Sequence, residues 1–161
     1  MTQEDKELLL KDLCARLPFG VICNYEGVMP LRAGRAKSYD KLTGIKLYSD
    51  HTVLEFGPHK AILGDSIKPY LRPMLSMTEG EKEELLNLLF DEDAKYFYID
   101  EEGIIDGKHT DLMKEGLNEV LFCPRNVELY SNFLNSHFLD WRGLIPMGLA
   151  LEAPEGMYKT E

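Results

Sequence analysis

Apolar residues recur near the start of the chain at Leu9, Leu10, Leu13, Cys14 and Leu17. That i, i+1, i+4, i+5, i+8 spacing predicts one helix of about 14 residues, capped by Thr2 with Asp5 at its third position and stopped by Pro18 and Gly20. Gly20 to Tyr25 then reads as a buried strand ended by Glu26-Gly27, and residues 28 to 43 show no clean period and read as a loop. Ile45 to Tyr48 and Val53 to Phe56 flank Ser49-Asp50-His51, the pattern of a hairpin, and Ala61-Ile62-Leu63 offers a third strand. Pro69 and Pro73 push the residues before them into extended conformations.

The period then changes. Thr78 and Glu81 form a capping box, in which hydroxyl and carboxylate satisfy backbone donors at a helix start, and the helix they open should run to Phe90. Tyr96 to Ile99 is rich in strand formers, and Glu102-Gly103 is a turn before Ile104-Ile105. Thr110 can cap a weaker helix through Leu121, with Pro124 ending that segment. Asn126 can cap a third good one through Val127, Tyr130, Phe133, Leu134, His137, Phe138 and Trp141. Leu149 to Leu151 is a candidate last strand.

This order predicts an α+β fold: a mostly antiparallel sheet in the N-terminal half with about four helices, the larger ones packed as a second layer. The 161 residues suit a single domain, 1–161, with a subdivision into a β-rich part, 1–75, and a helix-rich part, 76–161. The charged start lacks a signal-peptide pattern, and apolar stretches such as 143–151 are too short to span a bilayer, so a cytoplasmic protein is expected. Three widely spaced cysteines, Cys14, Cys23 and Cys123, read as reduced thiols, the first two as core packing.

Charge sharpens the picture. The net charge is −10, and residues 79 to 119 alone hold 14 acids against 4 bases. Within the neutral remainder, residues 31 to 46 hold Arg32, Arg35, Lys37, Lys41 and Lys46 against Asp40, a local +4. Overall acidity argues against non-specific binding to nucleic acid or an anionic membrane, but leaves room for a small basic site. Arg forks match anions bidentately, so Arg32, Arg35, Lys37 and Lys41 are candidate binding residues; otherwise they are a solvated loop. Tyr70 with Arg72, and Trp141 with Arg142, pair an aromatic ring with a guanidinium, which serves either a structural stack or an interface anchor. The acidic segment is either a solvated face or a surface for a basic partner.

Catalytic and metal motifs are weak. The four histidines show no His-x-x-x-His spacing, there is no Cys-x-x-Cys, and His137 lies on an apolar stripe as a hydrogen-bonded boundary residue would. Calcium loops starting at Asp91 or Asp100 fail, having Tyr96 and Ile105 where glycine is needed. No cofactor is indicated. An enzyme would have to assemble its site from dispersed residues such as His51, His59, His109, Asp65 and Asp106. The better-supported expectation is a non-catalytic binding protein that meets a protein or anionic partner.

Two blocks carry a resemblance: Lys68-Pro69-Tyr70-Leu71-Arg72-Pro73-Met74 with Ser76-Met77-Thr78-Glu79, and His137-Phe138-Leu139-Asp140-Trp141-Arg142-Gly143-Leu144-Ile145 with Gly148-Leu149-Ala150-Leu151-Glu152-Ala153-Pro154-Glu155-Gly156-Met157-Tyr158. They resemble a family of small uncharacterised proteins of gut Bacteroidales and their phages or prophages. The resemblance implies a bacterial or phage cytoplasmic setting and carries no activity, ligand or catalytic residue.

Overall fold

A computed structural model describes residues 1–25, 39–100, 104–107 and 123–158. The chain divides into two compact units, residues 1–72 with 142–161, and residues 73–141. The division near 72 lies close to the sequence boundary at 75, whereas the last twenty residues belong with the first unit.

In the first unit, helix α1 (Gln3–Arg16) opens on the expected capping box: Thr2 Oγ1 accepts from the Asp5 N–H at 3.1 Å, and Asp5 Oδ2 accepts from the Thr2 N–H at 2.8 Å. Its buried stripe is Leu9, Asp12, Leu13 and Arg16. This corrects the apolar stripe read from sequence, because Cys14 is exposed and Leu10 only half-buried. Two charged residues take those places because their charges are satisfied inside, as described below.

The strands follow as β1 (Ile22–Tyr25), β2 (Tyr39–Lys41), β3 (Gly44–Leu47), β4 (Thr52–Phe56), β5 (His59–Ile62) and β6 (Ile67–Leu71), with β9 (Leu151–Glu152) closing the unit. They form a four-stranded sheet ordered β2-β1-β6-β9 and a three-stranded meander β3-β4-β5. The Tyr25 and Phe56 rings stack at 4.7 Å and join one sheet to the other. Leu9, Ile67 and Leu149 line one cavity of about 260 Å³, which sets α1 beside β6.

Pro69 sits within β6, a strand paired on both sides. The Leu71 carbonyl accepts from Ala153 on the β9 side, and backbone alternation turns Pro69 the same way. Strand β9 begins only opposite Tyr70, so the missing proline donor interrupts no ladder.

The second unit holds α2 (Glu79–Phe90), a 3₁₀ segment (Asp91–Tyr96), the hairpin β7 (Phe97–Ile99) and β8 (Ile105–Gly107), and α3 (Pro124–Ser136). The Thr78 and Glu81 box is formed, the Thr78 N–H donating to Glu81 Oε2 at 2.8 Å. Leu85, Leu86, Leu89 and Phe90 of α2 share a core with Phe97, Ile99, Ile105, Phe133, Leu134 and Leu139.

Asn126 does not cap α3. The helix starts at Pro124, whose missing N–H costs nothing in the first turn, and Asn126 is buried with its amide donating to the Leu89 carbonyl at 3.4 Å. After α3 the chain enters a Schellman motif. Phe138 is left-handed at φ 57°, its N–H bonds Asn135 O, and the Leu139 N–H bonds Leu134 O.

The α+β class stands, with antiparallel pairing dominant. Two details change. The described residues contain three α-helices, not about four, the expected Thr110 helix lying outside them. Strands also extend beyond the N-terminal half, because Phe97–Ile99 pairs with Ile105–Gly107 and Leu151–Glu152 adds in parallel to β6, while the expected Glu102-Gly103 turn lies outside the described residues.

Candidate binding face on the four-stranded sheet

Side chains alternate across the sheet. Cys23, Tyr25, Ile67, Pro69 and Leu71 face the interior, and Ile22, Asn24, Lys68 and Tyr70 face outward. Register completes the outer face: Tyr39 and Lys68 lie on either side of Asn24, and Lys41 lies opposite Ile22. The Tyr39 and Tyr70 rings meet edge to face with centroids 6.1 Å apart. Since β1 lies between their strands, the two rings span it over Ile22 and Asn24. Asn24 Oδ1 is buried there without a hydrogen-bond partner among the described residues.

Lys41 and Lys68 border this aromatic bridge, and neither has an ion-pair partner among the described residues. The two lysines of β3 to β5 are ion-paired instead: Lys46 and Lys60 converge on Glu55 at 2.7 and 3.2 Å, holding its carboxyl below the usual range. Lys41 lies across Gly20, at φ 80°, and a Cβ at that position would collide with the lysine stem. Glycine there satisfies the turn and seats the lysine at once.

Of the residues singled out by sequence, Lys41 and Tyr70 are thus brought to one face. Arg72 is half-buried at the end of β6. Arg32, Arg35 and Lys37 lie outside the described residues, in the connection between β1 and β2. Asn24, Tyr39 and Lys68 were missed; the alternation Ile67-Lys68-Pro69-Tyr70-Leu71-Arg72 carries the period of two that marks Lys68, whereas Asn24 and Tyr39 join the face only through strand register.

Trp141 and Arg142 serve the frame. Trp141 packs on the second unit's core and donates Nε1–H to Asn135 Oδ1 at 3.0 Å. Arg142 donates to Asp12 Oδ1 at 2.7 Å, while Arg16 donates to Asp12 Oδ2 at 2.8 Å. The Asp12 and Arg16 side chains are fully buried and Arg142 nearly so. Tyr158 acts similarly: its hydroxyl accepts from the Ile22 N–H at 3.0 Å and donates to the Tyr70 carbonyl at 2.8 Å, bridging β1 and β6. Burial pushes its phenol far up. It pushes the Cys23 thiol up as well, with Asp12 adding to the shift. A thiol held protonated is packing, not a nucleophile.

The dispersed His and Asp residues form no joint site among the described residues. His51 bonds Asp50 at 2.7 Å and stacks on Tyr48 at an exposed hairpin tip. His59 is paired with Phe56 on β5. Asp106 accepts from Tyr98, and His109 lies outside the described residues. His137 bonds the Phe133 carbonyl and stacks on its ring, as a boundary histidine. No cluster of three metal-binding side chains occurs among the described residues, and none of their helices is long and apolar enough to cross a membrane.

No family model, curated protein or solved structure matches the chain.

Proposed function

We propose that this is a non-catalytic binding protein of a phage or mobile element, acting in the bacterial cytoplasm, and that the outer face of its four-stranded sheet meets an anionic partner. The observation that carries this reading is that two lysines in no ion pair among the described residues border a tyrosine bridge on the outward sheet face. A flat, half-apolar face with unneutralised cations gains from an anionic surface that supplies counter-charge and covers the rings. The first unit carries 12 acids and 13 bases, net +1, and the second 16 acids and 5 bases, net −11. The basic face therefore belongs to the unit that does not repel anions. The connection from β1 to β2 adds Arg32, Arg35 and Lys37 to the same unit.

Retention on immobilised heparin, a generic polyanion, tests the reading. Lys41→Glu with Lys68→Glu should weaken binding at least tenfold. Lys60→Glu, on the other sheet, should change it less than threefold. Equal loss from both would mean bulk charge alone; no loss from the double variant would remove the face from consideration.

A further inference from the structure

The second unit carries an open groove of about 430 Å³ between α2, the 3₁₀ segment and β7. Leu86, Phe97 and Ile99 form its floor, all buried in the unit's core. One face of α2 forms a wall through Glu79, Lys82, Glu83 and Asn87, and Lys95 and Tyr98 rise opposite. We propose that this groove binds an extended cationic peptide, seating one aliphatic or aromatic side chain on the apolar floor and setting Lys or Arg residues against Glu83 and the carboxylates around Tyr98.

The groove falls within the size range of ligand pockets and has an apolar base. Strand β7 supplies all three of its residues to the lining and pairs only with β8 among the described residues. A peptide lying along it in extended form can therefore pair with its backbone while alternate side chains point into the groove.

The sign of the charge selects the partner. Glu79 is engaged by Lys82 at 2.8 Å, and Lys95, over the Tyr96 ring at 5.0 Å, stays a cation. The lining's own two acids and two bases therefore balance, and the negative field comes from Asp106, Asp100 and the unit as a whole. Glu83 has no ion-pair partner among the described residues. On the opposite wall Tyr98 donates to Asp106 at 3.3 Å. Asp106, with Asp100 beside it, raises the Tyr98 phenol even though the ring is exposed, so that wall lies in a negative field. The unit's net −11 extends that field into solvent and favours encounter with cations. This surface is separate from the basic sheet face, and neither proposal depends on the other.

Fluorescence anisotropy with a dye-labelled ten-residue peptide of alternating lysine and leucine tests the groove, with alternating lysine and serine as the comparison. The lysine–leucine peptide should bind at least tenfold more tightly. Ala94→Trp, which fills the groove, and Glu83→Lys, which reverses an exposed charge, should each weaken it at least tenfold. Far-UV circular dichroism would show that both variants remain folded; should the tryptophan variant unfold, Glu83→Lys still decides. Equal affinity for the two peptides would reduce the effect to bulk charge and overturn the proposal. Unchanged affinity in folded Glu83→Lys would overturn it too.

Discussion

Asp12 shows how one residue can organise a unit. Its two carboxylate oxygens accept from two different arginines, Arg16 one helical turn on and Arg142 some 130 positions away. Burying such charges gains little over a well-packed apolar core, but deleting one partner is severe, because the survivors stay buried without the counter-charge that offset their lost hydration. Asp12→Ala would leave two guanidinium groups facing one another, and it should cost about 3–5 kcal/mol, read as a lower urea midpoint. Tyr158 and Cys23 make a second prediction. Both have folded pKa values raised above the unfolded ones, so the folded state keeps its proton while the unfolded chain loses it. Stability is complete below the ordinary values, about 8.5 for a thiol and 10 for a phenol, and falls as pH rises past them. Urea midpoints should decline from pH 8 to pH 11. Tyr158→Phe should be less stable at pH 7 yet decline less steeply.

At the scale of elements, termini explain more than interiors. Both capping boxes join side chains three residues apart, which is why they could be read directly. Thr78→Ala should cost about 1 kcal/mol in chemical denaturation, since the hydroxyl serves the Glu81 N–H and orders the carboxylate. The other end of α2 is strained. Asp91 adopts φ 50° and ψ −124°, a conformation that suits glycine and that a β-carbon opposes. Asp91→Gly should therefore stabilise the protein by about 1 kcal/mol, and a destabilised variant would show that the aspartate side chain holds the turn. The C-terminal block has a comparable logic: Phe138 makes the left-handed turn, Leu139 plugs the core, and Trp141 and Arg142 tie the exit down.

For the whole molecule, charge is partitioned by unit, at +1 and −11. Like charges concentrated in 69 residues repel, and salt screens that repulsion over about 8–10 Å at physiological ionic strength. Raising NaCl from 0.05 to 0.5 M should raise the melting temperature of the acidic unit. Amide exchange resolved by segment is the suitable measurement: slower exchange in residues 79–100 on adding salt, with little change in 44–63, is the expected outcome.

Local chemistry determined much of this protein. The two capping boxes, the periods of α1 and α2 and the β3–β4 hairpin all depend on residues within a few positions of each other, so the sequence carries them on its face, whereas the Asn126 cap read the same way did not form. Even there, apolar periodicity misplaced the buried side of α1, because a hydropathy pattern cannot foresee that Asp12 and Arg16 become buried once satisfied. Tertiary structure alone decided the rest. Only strand register puts Lys41, Tyr39, Asn24, Lys68 and Tyr70 on one face, and only packing of α2 against β7 opens the groove. Those arrangements depend on contacts between residues of different elements, whose formation is settled by burial across the fold and not by any local spacing.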